Sequence, residues 1–335
     1  MSVDLSTKYL GLDLKNPLVV AACSLTDDLA NLNKMEEAGA AAIVLHSLFE
    51  EQIEFEQEET QRVYDQGAES FAEALSYFPE LEEYRLGPES YIEHVAKAKQ
   101  AVSIPVIASL NGTSKGGWLR YAKLLEDAGA DALELNVYFI AADMNMSGQQ
   151  VEDQYLELVS EVKKSISIPL AVKVGPYFSS PGHMAKRLAE AGADGLVIFN
   201  RFLQPDIELD DLKISPKLVL SSAHELLLPL RWIAILHDRV KASLALTSGI
   251  HGADGMAKAL LAGADVGMVA SALYKKGIGA IGEILAGLEK WLGDNEYASV
   301  QQAKGSMSQE NCPEPAAFER GNYMKALTSF TGDFI

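Results

Sequence analysis

Four segments of the chain repeat one short phrase. They are Glu37–Leu45 (EAGAAAIVL), Asp127–Leu135 (DAGADALEL), Glu190–Ile198 (EAGADGLVI) and Leu261–Val269 (LAGADVGMV). In each, a helical pattern stops at a glycine that can take the left-handed cap conformation. A two- or three-residue link follows, then a short strand that is apolar on both faces. Such strands suit a parallel sheet covered by helices. Further strands read between the repeats, several entered through a proline. The expected strands are 17–22, 41–46, 105–110, 132–137, 169–174, 195–200, 243–248 and 265–270. Helical patterns fill most gaps, at 117–128, 151–165, 184–191, 252–261 and 278–292. Eight strands alternating with helices predict an α/β fold of the (β/α)8 TIM-barrel type. The competitor is an open doubly wound sheet, but no Gly-x-Gly-x-x-Gly follows the first strand.

Ser6–Asp13 (STKYLGLD) reads as a small N-terminal hairpin closing the barrel bottom. Long loops are expected after the second strand (47–90) and the sixth (201–221), on the face where barrel sites form. The barrel is assigned to 1–293, and 294–335 is a polar tail packed on it. The net charge of −19 opposes nucleic acid and anionic membranes as partners. No apolar run is long enough to span a bilayer. The start, Met1-Ser2-Val3-Asp4, lacks the basic and apolar parts of a secretory signal. Cys23 and Cys312 have no metal or redox spacing, so no metal site is expected. These features predict a cytoplasmic protein. Glu50–Glu59 holds six glutamates and no base. It reads as a solvated face, or as a docking surface for a basic partner.

The strand ends carry polar groups: His46 and Ser47, Asn111, Glu134 and Asn136, Lys173, Asn200, Ser248 and Gly249, Ala270 and Ser271. In a barrel these converge on one pocket. Ser248-Gly249 and Ala270-Ser271 fall at the seventh and eighth strand ends, where backbone N–H groups can receive a phosphate. Lys173 stands inside an apolar strand (SIPLAVKVGPYF), where an unpaired ammonium is costly. A phosphorylated, planar, polar cofactor such as FMN would give it a partner. Otherwise it leaves the barrel top for solvent or pairs with Glu134.

Here the residues resemble the dihydroorotate dehydrogenase family. The likeness runs from Asn16-Pro17 to about Gly277, and VKVGPYF at 172–178 is its most specific part. The resemblance implies an FMN-containing barrel. Ala21 and Ala22 would contact the flavin, as would Asn136 in ELN and Lys173. Asn200 would touch substrate, and Ser248, Gly249, Ala270 and Ser271 would hold the phosphate. His46 stands where the family often has a lysine near the flavin. The chain departs from the pattern at the base, where Phe139 falls on the family's Cys or Ser. Arg85-Leu86-Gly87 and Ala141 replace substrate-binding asparagines of the family. Tyr138, Asp143 and Ser147 are the remaining candidates for a base, alongside Lys173 as a catalytic cation.

The expected function is an FMN-dependent oxidoreductase acting on CH–CH groups, resembling dihydroorotate dehydrogenase of pyrimidine biosynthesis. Three alternatives stay open. One is a flavin-dependent reductase of a different small cyclic substrate, served by a partner electron carrier. Another is a flavin-free barrel lyase or isomerase, using Lys173 on a phosphorylated metabolite. The last is a non-catalytic flavin-binding regulator. The resemblance is also compatible with a homodimer.

Overall fold

The repeated glycines do what their position predicts. Gly39, Gly129, Gly192 and Gly263 all have positive φ, between 97° and 116°, and each turns a helix into the following strand. A computed structural model of the chain describes residues 3–53, 87–112 and 118–329. Twelve strands occur among them: β1 Thr7–Tyr9, β2 Leu12–Leu14, β3 Leu18–Val20, β4 Ala42–Phe49, β5 Val106–Asn111, β6 Ala132–Asn136, β7 Leu170–Val174, β8 Gly195–Ile198, β9 Pro205–Glu208, β10 Lys213–Pro216, β11 Ser243–Thr247 and β12 Val266–Val269. Eight close into a parallel barrel in the order β11-β12-β3-β4-β5-β6-β7-β8. The (β/α)8 TIM-barrel expectation holds, and each expected strand falls on an observed one.

The helices that matter below are α1 Leu29–Glu37, α2 Pro88–Ala101, α3 Trp118–Asp127, α4 Gly148–Ser165, α5 Pro181–Glu190, α6 Leu227–Leu236, α7 Ala253–Ala262, α8 Ser271–Lys276 and α9 Ala280–Asp294. They cover the barrel, and the larger core lies between them and the sheet. A second core fills the barrel axis. Val19, Val44, Ile107, Ala132, Ala171, Val197, Ala245 and Val266 point inward from successive strands. The β1–β2 hairpin plugs this axis from below with Tyr9, Leu10 and Leu14. The Leu10 N–H donates to Ser243 Oγ at 3.1 Å.

The aspartate of the repeat has a structural task. Parallel strands leave the first N–H of a strand short of a partner at the barrel bottom. Asp131 accepts from Val106 N–H (2.7 Å) and from Lys99 Nζ (2.6 Å). Asp194 accepts from Leu170 N–H (2.8 Å) and Lys163 Nζ (2.6 Å). Asp265 accepts from Leu244 N–H (2.7 Å) and Lys304 Nζ (2.8 Å). The first repeat has Ala41 in place of the aspartate, and Asn16 serves instead. Its Oδ1 accepts from Leu18 N–H (2.9 Å) and its Nδ2 donates to Gly39 O (2.7 Å). Four strand pairs are thus stapled in the same way.

Two expected loops need comment. Of the 47–90 interval, residues 54–86 lie outside the described residues, with most of the acidic run and Arg85-Leu86. The 201–221 interval is not a plain loop, because β9 and β10 form an antiparallel hairpin within it. Its registered pair Ile207–Ile214 puts apolar side chains on one face. Ile207 is 63% exposed and Ile214 75%. The tail after α9 contributes Lys304 to the third staple. Its Gly305 N–H bonds Leu260 O and its Gln309 N–H bonds Ala234 O, both at 2.9 Å. No helix among the described residues is long and apolar enough to cross a membrane.

The third staple ties the tail to the barrel, so Asp265→Ala removes two contacts at once. It leaves the Leu244 N–H and the Lys304 ammonium without their acceptor. The expected loss is about 2 kcal/mol in urea unfolding. A loss below about 0.5 kcal/mol, the range of surface changes, would reject the staple.

Candidate active site

Side chains alternate along a strand, so the inward set of each barrel strand also sets what stands at its upper end. On β6 the inward series is Ala132, Glu134, Asn136; on β7 it is Ala171 and Lys173, and Asn136 lies in register with Lys173. Above the apolar axis a cavity of about 370 Å³ opens at this end. That volume falls within the range of small-molecule sites. Eight expected cofactor residues line it: Ala21, Ala22, Lys173, Asn200, Ser248, Gly249, Ala270 and Ser271.

Lys173 is 10% exposed at its side chain and sits 3.5 Å from Glu134 Oε1. Glu134 is 1% exposed. Separating such a buried pair costs about 3–5 kcal/mol, because one charge is left uncompensated. Yet 3.5 Å is the outer limit of a hydrogen bond. An ammonium has three donors, and among the described residues the long Glu134 contact is the hydrogen bond it makes. Lys173 therefore keeps donor capacity for a ligand in the cavity. Beside it, Asn200 Nδ2 donates to Asn136 Oδ1 at 2.6 Å. Asn136 is thus coupled to the cavity through Asn200. Asn111 ends β5 in register with Asn136.

At the opposite end, Ser248 and Gly249 have φ of 78° and 84°. A left-handed serine costs about 1 kcal/mol, and strain of this kind collects at ligand sites. A Cβ on Gly249 would meet the Leu226 backbone N at 2.2 Å, so only glycine fits. Helix α7 follows directly, and α8 starts at Ser271. Small side chains and turning backbone at two adjacent strand ends suit an anion. The donor set therefore fits a ligand with an anionic group at one end and hydrogen-bonding carbonyls at the other.

Some wall residues escape strand-end reasoning. Leu218–Ser221 lines the cavity from the long crossover. Ser271 Oγ accepts from Ser221 N–H (3.1 Å), and Lys275 Nζ donates to Ser221 O (2.7 Å). The capping box of Ser222 and Glu225 that follows was a readable signal for this turn. Arg201, directly after Asn200, also lines the cavity and pairs with Glu225 at 2.6 Å.

His46 is placed elsewhere. Val44 pairs with Ile107 and Ser47 with Ser109, so Leu45 and His46 together oppose Ala108. This β-bulge redirects His46. Its Nδ1 lies 2.5 Å from Asp27 Oδ1, and its ring packs edge-on to Tyr91, 4.8 Å between centroids. It does not line the cavity. Tyr91 OH takes the gap in the ladder, accepting from Ser109 N–H at 3.0 Å.

The candidate bases differ in setting. Ser147 caps α4 in an exposed capping box with Gln150, donating to its Oε1 at 2.8 Å. Asp143 is exposed and accepts from Asn145 N–H at 2.9 Å. Tyr138 stacks on Phe202 at 4.3 Å, and its hydroxyl accepts from Leu203 N–H at 3.0 Å. Tyr177 adds a third ring, 5.2 Å from Phe202. Phe139 packs toward the core. Among the described residues, no group of His, Cys, Asp and Glu could hold a metal ion.

Cys23 stands in the cavity wall, and burial pushes its thiol up to about 11. Thiolate is the reactive form, and an unperturbed thiol ionises near 8.5. Iodoacetamide should therefore label Cys23 at pH 8 on the order of a hundredfold more slowly than a free thiol. The rate should rise about tenfold per pH unit up to pH 10. A plateau below pH 9, read by peptide mass mapping, would contradict this assignment.

The chain is similar to known proteins. The family model described as dihydroorotate dehydrogenase matches residues 81–292. The dihydroorotate dehydrogenase B (NAD(+)) catalytic subunit of Thermoplasma acidophilum is 24% identical over 315 residues, 90% of this chain and 98% of its own. Its counterpart in Methanothermobacter thermautotrophicus is 26% identical over 311 residues, 90% and 97% of the two chains. That of Methanosarcina acetivorans is 26% identical over 310 residues, 88% and 93%. The match extends through β6, β7, β8, β11 and β12, the strands that carry Asn136, Lys173 and the two anion turns, and the chain belongs to the dihydroorotate dehydrogenase family.

Proposed function

We propose that the protein is an FMN-dependent oxidoreductase that moves two electrons to or from a CH–CH bond of a small cyclic substrate. The oxidation of dihydroorotate to orotate is the first reaction to test. The observation that carries this reading is the placement of Lys173 on the wall of the cavity that also holds the Ser248-Gly249 and Ala270-Ser271 turns. Bound FMN supplies two-electron redox chemistry. The four turn residues hold its phosphate. Ala21 and Ala22, lacking bulk, let the planar ring approach the first strand. Lys173 would donate to a ring carbonyl and set a positive charge beside that edge. Asn136 and Asn200, joined to each other, orient the same edge, with Asn111 behind them. His46, turned toward Asp27 and Tyr91, takes no part in this reading.

A proton must move with the electrons. Among Tyr138, Ser147 and Asp143 we favour Tyr138. Its hydroxyl accepts from Leu203 N–H, which leaves its own proton for donation to a substrate being reduced. The same group takes the proton back in the oxidative direction. Ser147 is occupied as a helix cap and is the second choice.

A related reading is a flavin-dependent reductase of a different cyclic substrate. The stack of Tyr138, Phe202 and Tyr177 near Leu203 favours a flatter and less polar substrate than orotate. Relatives are named as catalytic subunits, which supports an electron-carrier protein as partner. We place the enzyme in the cytoplasm, with a homodimer as its compatible assembly.

The visible spectrum of the purified protein tests the cofactor, with mass identification of whatever denaturation releases. The expected outcome is a flavin spectrum and released FMN, bleached without air by dihydroorotate or by a substituted cyclic analogue. A colourless protein that takes up no added FMN would overturn the proposal. Borohydride trapping of a carbonyl ligand on Lys173 would then identify a lyase or isomerase instead.

A further inference from the structure

Glu134 is sealed inside the barrel, and its two oxygens have different surroundings. Oε1 faces Lys173 Nζ at 3.5 Å. Oε2 is buried with no hydrogen-bond partner. Below it lies the apolar axis, with Ile107, Ala132 and Ala171 on adjacent strands. Tyr9 OH rises from the hairpin into the same interior, also buried and without a partner. Burial and then the negative charge of Glu134 both oppose ionisation of Tyr9. The tyrosine therefore stays neutral. Nothing about barrel packing requires a carboxylate at this place. An alanine stands one inward position below it on β6, and Ala171 lies beside it in register on β7.

We propose that Glu134 is a positioning residue for Lys173: it holds the ammonium at the cavity wall and offsets its charge from behind. The inference rests on the flavin reading of the cavity for its main readout. A bare ammonium in this low-dielectric wall would strongly favour any ligand edge that turns anionic. With a carboxylate 3.5 Å behind it, the ligand meets the pair rather than a full charge. Glu134 would then set how much tighter the reduced cofactor binds than the oxidised one.

Glu134→Gln keeps the shape and removes the charge. Glu134→Asp keeps the charge and changes the shape. The holoprotein carrying Glu134→Gln should bind reduced FMN over oxidised FMN at least tenfold more selectively than the parent. That is a rise of about 30 mV in the two-electron midpoint potential. Glu134→Asp should move the potential less. A packing role predicts the reverse order, because aspartate disturbs the site more than glutamine does. A Glu134→Gln protein that binds FMN at the parental potential, or the reverse order, would overturn the proposal.

A second measurement needs no cofactor. Cyanate carbamoylates the neutral amine of a lysine, and peptide mapping reads Lys173 alone. In ligand-free protein, Lys173 should react severalfold faster with Glu134→Gln, since the carboxylate no longer favours the ammonium. The increase should again be smaller with Glu134→Asp. Equal rates in all three proteins would overturn the inference even if no flavin were found. A flavin-free protein with the expected rate order would keep the inference and sink the flavin reading. If Glu134→Gln fails to fold, Glu134→Leu takes its place: a rate above those of the parent and of Glu134→Asp supports the proposal, and a rate at or below that of Glu134→Asp rejects it.

Discussion

The barrel depends on how its strands begin. Each parallel strand enters from a helix or loop with a backbone N–H that the ladder does not yet satisfy. Asp131, Asp194 and Asp265 meet that need for β5, β7 and β11, and Asn16 meets it for β3. Each aspartate comes from the start of the next strand, so it fixes the register of a pair rather than of one strand. A lysine from a helix or the tail balances its charge. Because these staples all lie at one end, the opposite end is released from holding the sheet together. Polar and strained residues can stand there without threatening closure.

The axis between the two ends is where the cost of polarity is highest. From the bottom upward it runs from the hairpin side chains through alanines and valines to Glu134 and then Lys173. Among the described residues, the charges so deep in the axis are opposite and adjacent. A carboxylate alone at that depth would be neutralised or excluded. The pair is tolerable because its cation borders the cavity, where part of its charge can be satisfied by a ligand. Lys173 thus stands between two surroundings: Glu134 meets it from inside, and the cavity borders it from outside.

Much of this was legible in the sequence because the repeat marks each helix stop and strand start. The eight strands could be placed from glycine caps and apolar runs alone. Lys173 was conspicuous for its charge, and the anion turns for their small residues. His46 was legible as a strand-end residue, but not its direction. A single extra residue between Val44 and Ser47 turns it toward Asp27 and Tyr91, and no local pattern announces that bulge. The hairpin at β9 and β10 was readable in principle. Apolar residues alternate on both sides of Asp210-Asp211, a period-2 signal that the expectation of one long loop passed over. The wall at Leu218–Ser221 depends on contacts across 50 residues and more. Such contacts have no period and leave no trace in a single chain.

The division of labour between the ends also explains how one family frame can carry an altered substrate loop. Ser147 and Gln150 close a helix cap. Phe139 turns into the core, and Tyr138 stacks on a ring delivered by a different loop. Together these contacts hold the β6–α4 connection in place without a polar substrate to organise it. Gly175, at the end of the lysine strand, belongs to the same arrangement. A Cβ there would come to 3.0 Å from the Phe202 ring, so a larger residue would push the ring away by a few tenths of an ångström. The residue that follows Lys173 by two is therefore tied to the aromatic loop, and Lys173 itself to Glu134. The cavity wall and the aromatic loop meet within one short strand. A change of substrate can proceed through the loop rings while the lysine keeps its partner, and the staples at the far end register neither.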